Sequence, residues 1–167
     1  RVFQSRDVDE LVLLDIRAKE EGRSIDCRVV EEVAKELNCP LTVGGGVATQ
    51  DHVRDLLRAG ADKVVVSNWD MEGRKIPDAV GCQAVVAPIN ARCSQIAAWG
   101  VSNYSADEYE RMGAGEILLQ SIDRDGTMEG LDTELIRQVT ESVSVPVIGA
   151  GGVGTLLDFK RGFEEVG

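Results

Sequence analysis

Shifted by 106 residues, the chain lies over itself without a gap. Glu10 meets Glu116, Ile16 meets Ile122, Asp26 meets Asp132, Val33 meets Val139 and Pro40 meets Pro146. Gly45-Gly46-Val47 then meets Gly151-Gly152-Val153, and Thr49 meets Thr155. The match covers where each loop stands relative to its strand, which constrains a fold more than shared composition does. Each copy reads as a buried strand, a polar loop, an Asp-capped helix, a second strand and a glycine turn. Two similar βαβα halves point to an eight-stranded (β/α)8 barrel, with an open α/β sheet as the alternative.

Glu10 to Ile16 is a near-continuous apolar run, expected of a parallel strand covered on both faces. A helix is expected over 27–37, a strand over 41–43 and a helix over 50–59 closed by Gly60. A strand over 64–67 follows. Residues 70–80, with Gly73 and Pro77, make a poor helix. A strand over 84–89 carries Pro88 in its interior, which suits only a strand end or a bulge. Residues 92–104 have no usable periodicity, and 105–112 offers barely two helical turns. Then come a strand over 116–121, a helix over 133–143, a strand over 145–149 and a helix over 155–165. Six strands are thus visible in one partial barrel domain spanning 1–167, where a parallel barrel needs eight.

The net charge of −11 leaves no basic stripe to neutralise nucleic-acid phosphates. It does not exclude a phosphorylated small molecule, because backbone N–H groups hold phosphate without net positive charge. Cys27, Cys39, Cys82 and Cys93 form no CxxC and have no histidine cluster nearby, so they read as reduced thiols and not as a zinc site. No metal or organic cofactor is expected. No apolar run is long enough to span a membrane and no signal peptide opens the chain, so a cytoplasmic location is expected.

In a (β/α)8 barrel the ligand sits at the carboxyl ends of the strands. The groups expected there are Asp15, Gly44-Gly45-Gly46, Ser67 and Asn68, Asn90, Ser121 with the loop Asp123-Arg124-Asp125-Gly126-Thr127, and Gly149-Ala150-Gly151-Gly152. The two glycine turns are candidate phosphate cradles, each followed by a helix N-terminus. Their repetition suggests a substrate with a phosphate at each end. Asp15, Asp123 and Asp125 are acid/base candidates by position. His52 reads as a surface residue. Glu10, Lys63 and Glu116 stand at the amino ends of their strands, where charge physics alone favours a mutually neutralising structural cluster.

The run Gly113-Ala-Gly-Glu-Ile-Leu-Leu-Gln-Ser-Ile-Asp-Arg-Asp-Gly-Thr127 is taken here with Asp9-Glu10-Leu-Val-Leu-Leu-Asp-Ile16, Pro40-Leu-Thr-Val-Gly-Gly-Gly46 and Gly60-Ala-Asp-Lys63. Together they strongly resemble the cyclase subunit of imidazole glycerol phosphate synthase, a histidine-biosynthesis family with a two-fold repeated (β/α)8 barrel. The resemblance covers about residues 7–69, 81–92 and 112–163. It implies a partner glutaminase whose ammonia enters at the barrel bottom past a charged gate matched by Glu10, Lys63 and Glu116. It further implies attack on a bisphosphorylated ribulosyl-formimino aminoimidazole carboxamide nucleotide, giving imidazole glycerol phosphate and aminoimidazole carboxamide ribonucleotide. Gly46, Asn68, Asp125, Gly126, Thr127 and Gly152 fall at the family's phosphate-binding positions.

The departures from that pattern are local. The family pairs catalytic aspartates on its first and fifth strands. The first strand is not represented, and the fifth-strand motif Ile-Asp-Ala reads Ile89-Asn90-Ala91. The segment at 70–80 and the loop after Asn90 are shorter than the family's, and the eighth strand is missing. The expectation is a fragment or a diverged relative, poorly stable as an isolated chain because a barrel short of two strands exposes edges. Two alternatives stand beside the histidine-pathway cyclase. One is the cyclase-like subunit of an amidotransferase for bacterial surface sugars, which Ser121 to Met128 also resembles. The other is a catalytically impaired phosphate-binding paralogue.

Overall fold

A computed structural model describes residues 8–70, 73–92, 95–96 and 104–166. It divides into two compact units, 1–86 and 87–167. The fold is a partial (β/α)8 barrel, with six parallel strands among the described residues.

In the first unit β1 (Leu11–Leu14), β2 (Leu41–Gly44) and β3 (Lys63–Val65) pair in order, with Leu11 opposite Leu41 and Val43 opposite Val64. The first residues of β4 (Val85–Arg92) extend that ladder, Val85 pairing with Val64 and Val86 with Val65. All of β2 is buried, as a strand flanked on both sides requires. β1 differs from expectation. Among the described residues it lies at the edge of this ladder, with β2 as its strand neighbour, and its residues are half-buried with Leu14 exposed.

Helix α1 (Cys27–Lys35) starts where Asp26 accepts the N–H of Arg28, and α2 (Gln50–Arg58) where Thr49 accepts the N–H of His52. Each turns an apolar stripe inward, burying Val30 from α1 and Val53 and Leu56 from α2. The stretch with Gly73 and Pro77 folds as a 3₁₀ turn followed by a one-turn helix, α3 (Ile76–Val80). Proline is tolerated there because the first helical turn has no internal partner for the missing N–H.

In the second unit β4 continues to Arg92, past the expected end, and pairs antiparallel with β5 (Gln95–Ile96), a strand the lack of periodicity had hidden. Pro88 does sit inside β4. It falls between the residues that pair with β3 and Ala91, whose carbonyl accepts from Ile122 N–H. A short helix, α4 (Ala106–Arg111), is closed by a capping box between Ser105 and Glu108. Strand β6 (Glu116–Ser121) pairs with β7 (Val147–Ala150), Ile117 opposite Val147. Helices α5 (Thr133–Ser142) and α6 (Leu156–Val166) complete the unit, Asp132 capping α5 through Leu135 N–H. An apolar groove of about 550 Å³ runs between α5, β7 and α6, lined by Ile136, Val147, Phe159 and Phe163 among others and by no charged residue.

Candidate functional site

The first unit carries two polar centres at opposite strand ends. At the amino ends, Glu10 precedes β1, Thr42 lies in β2 and Lys63 opens β3. One Glu10 oxygen accepts from Thr42 Oγ1 at 2.5 Å and the other from Lys63 Nζ at 3.0 Å. The Glu10 and Lys63 side chains are each 25% exposed, so the pair is only part-screened by water. Thr42 was missed from the sequence. The available signal was a hydroxyl inside the apolar run Leu41-Thr42-Val43, which must find a partner when buried.

At the carboxyl ends, β2 runs into Gly45 and Gly46, with φ of 128° and 63°. Neither position accepts a side chain. A Cβ on Gly45 would lie 2.6 Å from the Asp15 carbonyl oxygen, and one on Gly46 would lie 1.9 Å from that of Arg23. The Gly45 carbonyl accepts Ile25 N–H, and the Val47 carbonyl accepts Ser67 N–H. The N–H groups of Gly46 and Val47 donate no hydrogen bond among the described residues. Gly46 is half-buried whereas Val47 is fully buried, so it is the Gly46 N–H, in the turn that leads into α2, that is placed to meet an anion. His52 departs from the purely solvated placement expected: it is half-buried, and its Nδ1 faces Ala48 N–H at 3.5 Å.

The remaining first-unit candidates are more committed than the sequence implied. Asn68 closes a local turn, donating from Nδ2 to Asp70 at 2.7 Å and accepting Asp70 N–H at 3.2 Å. The neighbouring Trp69 is buried and anchors the turn by donating Nε1–H to the Val66 carbonyl. Asp15 accepts from Arg23 Nη1 at 2.6 Å and from the N–H groups of Arg17 and Ala18. The Arg23 hydrogen bond above all holds the Asp15 carboxyl below its ordinary range, a state that suits an anchor better than a proton carrier.

The second unit repeats the glycine turn. Gly151 and Gly152 have φ of 100° and 93°, and a Cβ on Gly152 would lie 2.2 Å from the Gly130 carbonyl oxygen. Gly130 N–H donates back to the Gly152 carbonyl at 2.7 Å, so the β6–α5 connection and the β7 turn clasp each other. The N–H groups of Gly151, Gly152 and Val153 donate nothing among the described residues. The Asp125-Gly126-Thr127 loop is exposed: Asp125 accepts from Gln120 Nε2 at 3.0 Å, and Thr127 Oγ1 donates to the Arg124 carbonyl at 2.8 Å. Asp158 accepts the N–H groups of Gly154 and Thr155, which lowers its pKa and fills the start of α6 with a carboxylate. Beside it is a polar cavity of about 230 Å³ lined by Arg124, Gly130, Thr133 and Arg161.

Asn90 lies in β4, half-buried, and its side-chain amide makes no hydrogen bond among the described residues. Glu116 opens β6 and is 7% exposed. Cys27, Cys39 and Cys82 are free thiols, and Cys93 lies outside the described residues. Among the described residues no His, Cys, Asp and Glu side chains group as metal ligands would, and no helix is long and apolar enough to cross a membrane.

Comparison with known proteins places these features in a family. A family model described as "Histidine biosynthesis protein" matches residues 1–166. The imidazole glycerol phosphate synthase subunit HisF of Exiguobacterium sibiricum is 39% identical over 180 residues, covering 98% of this chain and 72% of the relative. The subunit of the same name from Geobacillus thermodenitrificans is 41% identical over 182 residues, covering 99% and 72%. Both aligned stretches exceed the 167 residues of this chain, so each relative carries internal residues that it lacks.

Proposed function

Because the chain belongs to the histidine-biosynthesis family of imidazole glycerol phosphate synthase cyclase (HisF) subunits, an enzyme family, we propose that it is an ammonia-using cyclase. Its substrate is a bisphosphorylated ribulosyl-formimino aminoimidazole carboxamide nucleotide. Its products are imidazole glycerol phosphate and aminoimidazole carboxamide ribonucleotide. The observation that carries the reading is the repeated glycine turn. At Gly45-Gly46 and again at Gly151-Gly152, backbone N–H groups make no hydrogen bond among the described residues while the Gly45 and Gly152 carbonyls each accept one. Each turn holds a phosphate group by geometry, which a chain of net charge −11 could not do by bulk attraction.

Glu10, Lys63 and Thr42 serve the entry of ammonia supplied by a glutaminase partner. The Lys63 ammonium is tied to Glu10, and Thr42 holds the second Glu10 oxygen, so opening the cluster breaks these hydrogen bonds. Glu116, nearly buried at the amino end of its own strand, is assigned to the same role. Ser67 and Asn68 order the loop after β3, and Asp125, Gly126 and Thr127 border the second phosphate.

Asn90 stands where the family motif has a general acid/base aspartate, and an amide exchanges no proton with substrate near neutral pH. That one observation favours a second reading, a phosphate-binding subunit with impaired chemistry. The test incubates the chain with ammonia and the bisphosphorylated nucleotide, following imidazole glycerol phosphate by chromatography and substrate binding by calorimetry. Product formation supports the cyclase. Binding without product supports the impaired subunit, and failure of a folded chain to bind the nucleotide rejects both in favour of another phosphorylated substrate.

A further inference from the structure

The β1–α1 connection closes over the first glycine turn; within it Arg23 pairs with Asp15 at its β1 end and with Glu21, which also meets Arg17. Asp15 Oδ2 accepts from Arg23 Nη1 at 2.6 Å, while Asp15 Oδ1 takes the N–H groups of Arg17 at 3.1 Å and Ala18 at 3.2 Å. Arg23 N–H in turn donates to the Ala18 carbonyl at 3.0 Å. The residues of the pair are themselves the walls of the turn. The Asp15 carbonyl packs against Gly45 and the Arg23 carbonyl against Gly46, so closely that neither glycine has room for a Cβ. Asp15 N–H donates to the Gly44 carbonyl and Ile25 N–H to the Gly45 carbonyl, and the Gly46 N–H is left without an internal acceptor among the described residues.

The second unit clasps its own turn differently. At the matching offset Ser121 stands in place of Asp15 and Glu129 in place of Arg23, so no equivalent ion pair can form there. The clasp is instead the backbone bond from Gly130 to Gly152.

We propose that Asp15 and Arg23 form a positioning pair that sets the phosphate affinity of the Gly45-Gly46 turn by latching the β1–α1 connection against it. The proposal rests on the reading of that turn as a phosphate site. The Arg23 and Asp15 side chains are 44% and 25% exposed, so the pair contributes little to global stability. Its effect is local preorganisation: with the latch formed, the turn does not have to be ordered at the cost of binding energy.

Direct attraction between the Arg23 guanidinium and the phosphate would give a different sign, and Asp15→Asn separates the two. Asparagine keeps an acceptor for Arg17 and Ala18 N–H but removes the ionic tie from Arg23 to the end of β1, leaving only the Arg23–Glu21 pair inside the connection. Removing a negative charge beside an anion site would by itself tighten binding, whereas loss of the latch weakens it. The experiment is an amide NMR titration of the whole chain with inorganic phosphate at constant ionic strength. It reads Gly46 and Val47 against Gly152 and Val153 in one sample, the second turn serving as the control for folding.

In the unaltered protein both turns shift on titration. Asp15→Asn and Arg23→Ala weaken the first by about fivefold or more and leave the second within about twofold, with Arg23→Lys between. Unchanged or tighter binding at Gly46 in Asp15→Asn, or unchanged binding in Arg23→Ala, overturns the latch. Absence of phosphate shifts at Gly46 and Val47 in the unaltered protein overturns the phosphate reading itself.

Discussion

Gly46 and Gly126 both have left-handed backbones, with φ of 63° and 77°, yet their surroundings make them different sites. A Cβ on Gly46 would meet the Arg23 carbonyl at 1.9 Å, whereas one on Gly126 meets nothing within 4 Å. Alanine at Gly126 is expected to cost only the backbone strain, on the order of 1–3 kcal/mol. Alanine at Gly46 adds a backbone displacement to that strain and should abolish phosphate binding at the first turn. Urea unfolding and phosphate titration of the two variants measure the contrast, and equal losses in both would contradict it. The sequence made both glycines visible. What it could not show is which carbonyl stands opposite, because that neighbour comes from a connection more than twenty residues away in the chain, as Arg23 does for Gly46.

Among the elements, the helix starts were legible because their signal is local. An aspartate before a run of apolar residues at helical spacing is enough, and Asp26 and Asp132 do accept the N–H groups of Arg28 and Leu135. Asp132 is buried whereas Asp26 is half-buried, so the two caps should differ. Asp26→Ala is expected to cost about 1 kcal/mol, and Asp132→Ala about 2 kcal/mol, since it also strands a buried donor. Denaturant midpoints at neutral pH decide this, a smaller loss at Asp132 being the contrary result. Strand ends were less legible. β4 extends to Arg92 and pairs with β5 through Ala91 opposite Ile96, contacts that no alternation of apolar residues announces. Half-exposure of β1 was hidden for a related reason: Leu11 to Leu14 is apolar enough for a central strand, and only strand order makes it an edge.

Over the whole molecule the acidic excess has two consequences. Asp15, Asp26, Glu31, Asp107, Glu108 and Asp158 all have lowered pKa values through hydrogen bonds to Arg, Lys, Ser or backbone N–H groups. A carboxylate whose folded pKa is depressed stabilises the fold above its unfolded value, here 3.8 for Asp and 4.5 for Glu. That contribution is lost as pH falls through the folded pKa. Stability should therefore fall modestly below about pH 4, although relief of self-repulsion works the other way as the net charge of −11 is titrated. Thermal unfolding followed from about pH 7 to about pH 3 tests the sign, and a midpoint still rising at the acid end would refute it. The offset of 106 residues made the architecture legible at this scale, since a repeat of loop positions reports fold directly. The chemistry was legible only through Asn90, an amide at the position where the proposed cyclase reading calls for a carboxyl.

The most direct measurement is the single-turnover rate of imidazole glycerol phosphate formation from ammonia and saturating bisphosphorylated nucleotide, in this chain and in Asn90→Asp. The account predicts that restoring the carboxyl speeds product formation by about 10²-fold or more while nucleotide affinity changes little. Equal rates in the two proteins, or a gain explained wholly by tighter binding, would contradict it.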